Sequence, residues 1–248
     1  MAKYSYGGYP PPSLPGMEEY TVPISDLGSN EADLAFLPDS AKKDPFYQKM
    51  CECCNFTSKW QMPIVDAVSD QNVLEYEIMG YDRISHPSSY KYGIHFYIPD
   101  CKNLSSLRSV VLVYNRIKGN PYVIGPDYSV RMNMTFPRKL INSHDIKLVT
   151  AWLQYMGMLV VPNVVWADEA HMEAYLEGYP VGSIIAINST GLGWDKRAIT
   201  NWKIGYRCVI DILKPAAIIR YGRKVDGEIE SISYYKQNDN FKSCNYGW

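Results

Sequence analysis

The sequence predicts an α/β protein built on a parallel sheet of five to six strands, with helices crossing between consecutive strands. Three observations support this class. Five short segments rich in β-branched and aromatic residues recur after residue 90, helical patterns lie between them, and each segment is a nearly continuous apolar run. Such runs are typical of strands covered on both faces, and alternation with helices is typical of parallel sheets with right-handed crossovers.

The predicted elements follow one another along the chain as strand, helix, strand. The strands are predicted in "YGIHFYIPD", "YVIGPD", "MLVVPNVVW", "SIIAINSTG" and "AAIIRYG". The helices are predicted in "NLSSLRSVVLVYNRI", "FPRKLINSHDIKLVTAWLQYM", "ADEAHMEAYLE" and "WDKRAITNWKIGYRCVIDIL". Boundary signals agree with these helices, because Gly157 follows the second, Asp168 occupies the N-cap position of the third, and Pro215 closes the fourth.

Five or six strands are too few for a complete eight-stranded barrel. The sheet is therefore predicted to be either open and doubly wound or an incomplete TIM-barrel-like sheet closed by N-terminal material, and spacing alone does not choose between them. Composition divides the chain into an irregular N-terminal arm or cap, whose first ~20 residues are rich in proline, glycine and tyrosine, a parallel α/β core domain, and an aromatic C-terminal tail. We predict bounds of 1–80, 81–224 and 225–248 for these three parts.

Composition and charge limit the classes of function. The chain has 248 residues, of which 46% are hydrophobic, so it can bury a sizeable core. Its formal net charge of -1 gives no bulk electrostatic reason to bind nucleic acid or an anionic membrane. No apolar run approaches the roughly 18 to 20 residues that cross a bilayer, and the N-terminus lacks a secretory signal. We therefore expect a cytoplasmic protein, with host cytoplasm as its location if a phage encodes it.

The polar residues that follow the predicted strands form the best candidate site. In parallel α/β sheets, ligands bind at the carboxyl ends of the strands, where loops and helix N-termini converge. Two strands end in a carboxylate, Asp127 and Asp100, which are the candidate catalytic residues. The candidate ligand-binding residues are Asn163, Trp166, Asn188, Ser189, Thr190, Gly191, Arg220 and Tyr221. Each also has an ordinary interpretation, because strands that leave a core end in polar turn and cap residues.

Other motifs give weaker signals. The string "NSTGLG" is a tight turn or an anion-binding turn, but it lacks the lysine of a P-loop and the dinucleotide fingerprint. The "CECC" cysteines and the four scattered histidines lack the spacing of a zinc site, so no metal site is predicted, and the sequence leaves any cofactor unknown.

Residues 92–222 resemble domain-of-unknown-function family 4417, found in bacteria, archaea and especially their phages and other mobile elements. The resemblance is carried by "HFYIPD", "VIGPDYSV", "GMLVVPNVVWAD", "GSIIAINSTG" and "LKPAAIIRYG". It implies a phage-type origin and architecture but no reaction. It also emphasises four of the strand-end positions, Asp127, Asn163, Trp166 and Gly191.

Three hypotheses of function follow. The first is a protein that binds, and in one version processes, a small polar molecule such as a nucleotide at the strand-end rim. The second is a non-catalytic phage protein that binds and inhibits a host defence protein, which the phage-type resemblance and the aromatic tail favour. The third is a nucleic-acid-processing or replication accessory protein, against which the near-neutral charge argues. Catalysis and homo-oligomer formation are left open, and no membrane partner is expected.

Overall fold

The structure is a computed structural model that describes residues 50–99, 110–193 and 195–236. In this part of the chain there are seven strands, and every pair of neighbouring strands is parallel. The strands are β1 (Ile78–Gly80), β2 (Gly93–His95), β3 (Val123–Ile124), β4 (Val160–Val161), β5 (Ile184–Asn188), β6 (Ala217–Tyr221) and β7 (Ser233–Lys236).

Four α-helices cross between consecutive strands in the described ranges. They are α1 (Val110–Ile117), α2 (Phe136–Tyr155), α3 (Met172–Leu176) and α4 (Lys196–Leu213), and they precede β3, β4, β5 and β6 respectively. Short 3-10 turns occupy Gln71–Leu74, Tyr81–Arg83, Ser89–Lys91, Glu169–His171, Thr190–Leu192 and Glu230–Ile232. Each α-helix therefore connects two parallel strands, as the alternating pattern predicts.

The strands form two sheets, with the orders β1-β2-β3-β4 and β5-β6-β7. A parallel bridge between Asn163, just after β4, and Ala186 in β5 joins them. The predicted parallel α/β class is confirmed, and each of the five predicted segments contains a strand. The strand number exceeds the predicted five to six, because β1 and β7 add to those segments. In both sheets the strands follow one another in chain order, whereas in a doubly wound sheet the strand order reverses at one point. The incomplete barrel stays a prediction.

Both faces of the sheets are covered, which explains the continuous apolar runs. On one face, Ile184 of β5 and Ile219 of β6 pack with Ile124 of β3 in a single buried cluster. On the other face, Ile185 and Ile218 belong to a cluster that includes buried side chains of α3 and α4. Because successive strand residues point to opposite faces, both sets of side chains must be apolar.

Helix α2 approaches β3 closely, and this contact positions the chain that follows β3. A Cβ atom on Gly125 would lie 2.4 Å from the hydroxyl oxygen of Thr150 in α2, so only glycine fits there without a shift. The backbone N–H of Gly125 donates to Val161 at 2.9 Å. The chain at Gly125 thus contacts α2 on one side and β4 on the other. Pro126 and Asp127, which come next, lie at the edge of the sheet.

Strands β1 and β7 lie outside the predicted core bounds of 81–224, although each pairs with a strand of that core. The predicted bounds of the three parts stay a prediction. Most of the predicted arm, up to residue 49, and the tail from residue 237 lie outside the described residues. Among the described helices, none is both long enough and apolar enough to span a membrane.

Candidate functional site

An open groove of about 1040 Å³ lies at the carboxyl ends of β3, β4 and β5 and at the start of α4. Its walls are formed by residues 97–99, 127–133, 164–167 and 188–192, together with residues 195, 197, 198, 201 and 202. The sequence predicts a site at this edge of the sheet, and several of the predicted residues lie together in the groove wall.

Asp127 follows β3 and is held by two asparagine side chains from the next two strand ends. Its Oδ1 accepts a hydrogen bond from Nδ2 of Asn163 at 3.1 Å, and its Oδ2 accepts one from Nδ2 of Asn188 at 3.3 Å. Asp127 is partly exposed in the groove wall. The two amides therefore fix the direction of both carboxylate oxygens.

Asn163 is fully buried behind Asp127, and its orientation is set by further bonds. Its Nδ2 also donates to the carbonyl of Pro126 at 2.8 Å, while its Oδ1 accepts from the hydroxyl of Tyr97 at 3.1 Å. Its backbone carbonyl accepts from the hydroxyl of Tyr179. Burial, reinforced by the charge of Asp127, raises the pKa of both tyrosine hydroxyls well above their usual range, so both remain donors.

Asn188 is held in the same way at the end of β5. Its Oδ1 accepts from the backbone N–H of Thr190 at 2.8 Å, which leaves Nδ2 to donate to Asp127. Its backbone carbonyl accepts from Nε1 of Trp202 at 3.3 Å. The amide orientations of both asparagines follow from these partners, because the reversed orientation would place like groups together.

The residues of the turn after β5, Ser189 to Gly191, differ in how far they are exposed to the groove. Thr190 and Gly191 are exposed in the wall. Ser189 is buried, and its hydroxyl donates to the carbonyl of Arg223 at 2.7 Å. Ser189 therefore fastens the turn to the segment after β6 as well as lining the groove.

Trp166 forms an aromatic part of the wall and is partly buried. Its ring centroid lies 5.6 Å from that of Trp202 in α4. A Cβ atom on Gly205, one turn further along α4, would lie 2.0 Å from Nε1 of Trp166. The indole thus packs directly on the helix backbone, which holds one flat face in a fixed position.

Arg220 does not line the groove, because it points into the interior. Its side chain is fully buried and pairs with Glu228 through two hydrogen bonds of 2.7 Å, from Nε and from one terminal nitrogen. The other terminal nitrogen donates to the carbonyl of Ile187 at 2.8 Å. Burial acts to raise the pKa of Glu228, but the hydrogen bonds and charge of Arg220 lower it overall.

Tyr221 and Asp100 complete the predicted set. The ring of Tyr221 lies between other side chains of the interior, with centroids 4.9 Å from Tyr97 and 4.5 Å from His95, and it does not line the groove. Burial raises the pKa of its hydroxyl. Asp100 lies outside the described residues.

Two arginines in the groove wall were missed by the strand-end argument. Arg131 lies in the loop after Asp127, and Arg197 lies in the first turn of α4 after the N-cap Asp195. The signal that could have found them is their position shortly after β3 and β5, because the edge rule also applies to the loops and helix N-termini that follow these strands.

A polar cluster also lies beside the groove, next to the wall residue Ala167. Asp168 stands before a 3-10 turn as predicted, but its side chain makes no cap bond. Instead it accepts from Lys139 of α2 at 2.7 Å, from Tyr175 of α3 at 3.1 Å and from the His171 ring. Burial would raise the pKa of Asp168, but these hydrogen bonds lower it. The cluster joins α2 and α3 to the loop after β4.

A buried lysine lies beside Tyr179, whose hydroxyl donates to the backbone carbonyl of Asn163. Lys147 of α2 has no solvent exposure, donates to the hydroxyl of Ser143 at 2.8 Å and lies 4.5 Å from the ring centroid of Tyr179. Burial lowers its pKa from 10.5 to about 7, against the opposing charge of Glu177. Within the described ranges, no group of three or more histidine, cysteine, aspartate or glutamate side chains is arranged to hold a metal ion.

Comparisons with known proteins agree with the predicted resemblance. The model of a domain of unknown function, DUF4417, matches residues 54–239. The Gene 1 protein of Mycobacterium phage L5 is 28% identical over 131 residues, which are 53% of this chain and 57% of that protein. The Gene 1 protein of Mycobacterium phage D29 is 24% identical over 131 residues, 53% of this chain and 48% of that protein.

The chain thus spans about half the length of the curated relatives it matches. No solved structure matches it. The family match extends on both sides of the predicted resemblance at residues 92–222 and includes β1, β7 and every described residue of the groove. The chain belongs to the family of the domain of unknown function DUF4417.

Proposed function

We propose that this phage-type protein binds a small polar ligand in the groove, with nucleotides as the first class to test, and that Asp127 is the principal contact. The observation that carries the proposal is the Asp127 carboxylate, partly exposed in the wall and held by Asn163 and Asn188. A carboxylate in a preset orientation can bind hydrogen-bond donors without the cost of ordering it first.

The rest of the groove supports this proposal. It lies at the carboxyl ends of parallel strands, where ligands bind in α/β proteins. Its wall combines the indole of Trp166 with the acidic Asp127 and the basic Arg131 and Arg197. A flat apolar surface beside groups of both charge signs suits a ligand that has a ring, donor groups and an anionic group, which are the parts of a nucleotide.

The test is a thermal-shift screen of nucleosides and nucleotides with the wild-type protein and two variants. A ligand at about 100 times its Kd stabilises the folded state by about 2.7 kcal/mol, which raises Tm by about 5–11 °C for a domain of this size. Asp127→Asn keeps the side-chain size but replaces one acceptor by a donor, so we expect the shift to disappear. Asp211→Asn, at an exposed position of α4, is the matched control and should keep it.

A shift that persists in Asp127→Asn would place the ligand elsewhere, and the absence of any shift across the screen would contradict the nucleotide class. A catalytic role of Asp127 stays a prediction from the sequence. Binding of a host protein and a role in nucleic-acid processing also stay predictions, because no contact in the groove favours either.

A further inference from the structure

We infer that the ligand presents two adjacent hydrogen-bond donors to Asp127, one to each carboxylate oxygen. The inference rests on the proposed function, since it assumes that a small polar ligand occupies the groove. The proposed function names where a ligand binds, and this inference names which chemical group of the ligand contacts Asp127.

The first argument is the orientation of the carboxylate. Asn163 donates to Oδ1 and Asn188 donates to Oδ2, and the two side chains come from different strand ends. Rotation of the carboxylate about its own axis would break one bond or both. Because each oxygen is held from a different side, the plane of the carboxylate is fixed, and bidentate recognition requires such a fixed plane.

The second argument is the polarity of the surrounding groups. The side-chain oxygen of Asn163 is directed to Tyr97, and that of Asn188 is directed to the backbone of Thr190. Both amide nitrogens are directed to the carboxylate. Both asparagine amides therefore present N–H donors to Asp127, while their oxygens are turned to other partners. A ligand acceptor facing Asp127 would meet a like partial charge, whereas a donor pair would be matched.

Two parts of a nucleotide carry such a donor pair. One is a base edge with a ring N–H beside an exocyclic amine, as in guanine, and the other is the vicinal hydroxyl pair of a ribose. Both can form two parallel hydrogen bonds to one carboxylate, and either leaves a flat or anionic remainder for Trp166 and the arginines. The simplest probe with the same chemistry is acetamidinium, a planar cation with two adjacent N–H groups.

The first experiment follows the side-chain amide NMR signals of Asn163 and Asn188 during titration with acetamidinium chloride or with ammonium chloride at equal ionic strength. We expect saturable shifts with acetamidinium and much smaller shifts with ammonium, because the single nitrogen of ammonium cannot form two parallel N–H···O bonds to the two oxygens. The response should be lost in Asp127→Asn and kept in Asp211→Asn. A native backbone spectrum of each variant checks that it is folded.

The second experiment compares nucleotides that differ by a single donor. Guanosine monophosphate is compared with inosine monophosphate, which lacks the exocyclic amine, and with its own 2′-deoxy and 3′-deoxy forms. We expect at least a tenfold loss of affinity when a contacted donor is removed, since its acceptor is then left unmatched. A loss with inosine monophosphate identifies the base edge, and a loss with a deoxy form identifies the ribose.

The outcomes separate this inference from the proposed function. If acetamidinium and ammonium act equally, or neither acts, the paired-donor inference is overturned. The same holds if nucleotides bind through Asp127 and no single donor removal weakens them, although the proposed function would then stand. If acetamidinium binds at Asp127 and no nucleotide binds, the paired-donor inference stands and the nucleotide class is withdrawn.

Discussion

At the scale of single residues, the ion pair of Arg220 and Glu228 is fully buried in the interior. Neither side chain is exposed, and Glu228 also accepts from the backbone of Val225 at 2.8 Å and from the hydroxyl of Tyr235 at 2.7 Å. The guanidinium carbon lies 5.0 Å from the ring centroid of Trp202. Arg220 thus ties β6 to the segment that leads to β7.

Removing one partner of this pair should be costly. We expect Arg220→Met to destabilise the protein by about 3–5 kcal/mol in urea unfolding, because Glu228 would remain buried without its counter-ion. The double variant Arg220→Met/Glu228→Leu should recover part of that loss. Lys203→Met removes the exposed ion pair with Asp226 and should change stability by less than about 1 kcal/mol. Equal effects of the two single substitutions would contradict the argument.

The buried Lys147 predicts a dependence of stability on pH. Its pKa is lowered from 10.5 to about 7 by burial, so between these values the unfolded chain binds more protons than the folded protein. Lys147 therefore destabilises the fold fully below pH 7, and this cost disappears as the pH rises towards 10.5. We expect Lys147→Met to be more stable than the wild type at pH 6, with a difference that shrinks steadily up to pH 10.

The measurement is urea unfolding of both proteins across that pH range, reported as the difference in free energy of unfolding. Other groups titrate in both proteins and cancel in this difference. Lys196→Met, at an exposed position of α4, is the matched control for the loss of a lysine side chain. A constant difference for Lys147→Met would show that the lysine keeps its proton on folding.

At the scale of elements, the contact between Trp166 and α4 links the groove wall to a helix. Gly205 is the residue that permits it, since any Cβ there would overlap the indole ring. Alanine normally stabilises a helix by about 1 kcal/mol relative to glycine. The sign of the stability change in a Gly205→Ala variant therefore shows whether the contact with Trp166 or helix propensity has the larger effect.

We expect Gly205→Ala to destabilise the protein by about 1–3 kcal/mol, because overpacking outweighs the gain in helix propensity. Displacement of Trp166 should also change the tryptophan emission of the folded state. Gly119→Ala is the control, since a Cβ at that position meets no atom within 4 Å, and it should be close to neutral. A stabilised Gly205→Ala protein would mean that the indole moves aside freely.

The elements also show what the sequence could predict. The five apolar runs were recognisable because their side chains are buried on both faces. Strand β7 was not, because Tyr234 and Tyr235 are exposed by 41% and 39% and the strand is defined by its pairing with β6. Strand β1 has only Ile78 and Met79 as an apolar signal, which is too short to separate from a loop.

The sequence could also predict part of the candidate site and not the rest. The edge rule places Asp127, Asn188 and Thr190 in one wall, because residues that end neighbouring parallel strands must be close in space. It does not reveal that Arg220 turns inward. That outcome depends on the return of the chain to Glu228 through Gly222 and Gly227, which adopt φ of 90° and 94°. A partner eight residues away that is reached only through this turn leaves no recognisable pattern in the sequence.

At the scale of the whole molecule, the two sheets share one buried cluster. Ile124 of β3 packs in the same cluster as Ile219 of β6, although these strands belong to different sheets. Both side chains are fully buried. We therefore expect the described part of the chain to unfold as one cooperative unit and not sheet by sheet.

Native-state hydrogen exchange tests this expectation. Ile124→Val removes one methylene from β3 and should lower stability by about 0.5–1.5 kcal/mol. If the sheets unfold together, the most protected amides of β6 should lose as much protection as those of β3. Ile212→Val, at a position of α4 that is 49% exposed, should leave both sets unchanged. A loss confined to the first sheet would show that the sheets unfold separately.

Asn163 limits how the groove can be redesigned, because it has two roles. Asn163 stands at the bridge between the two sheets, where its neighbours Val164 and Pro162 bond to Ala186, and its buried side chain orients the carboxylate of Asp127. Affinity and foldability are therefore not separable at this position, and library variants there would be removed for misfolding before their selectivity could be scored. Selectivity is better altered at Thr190 and Gly191, where new side chains would face solvent and the framework would stay as it is.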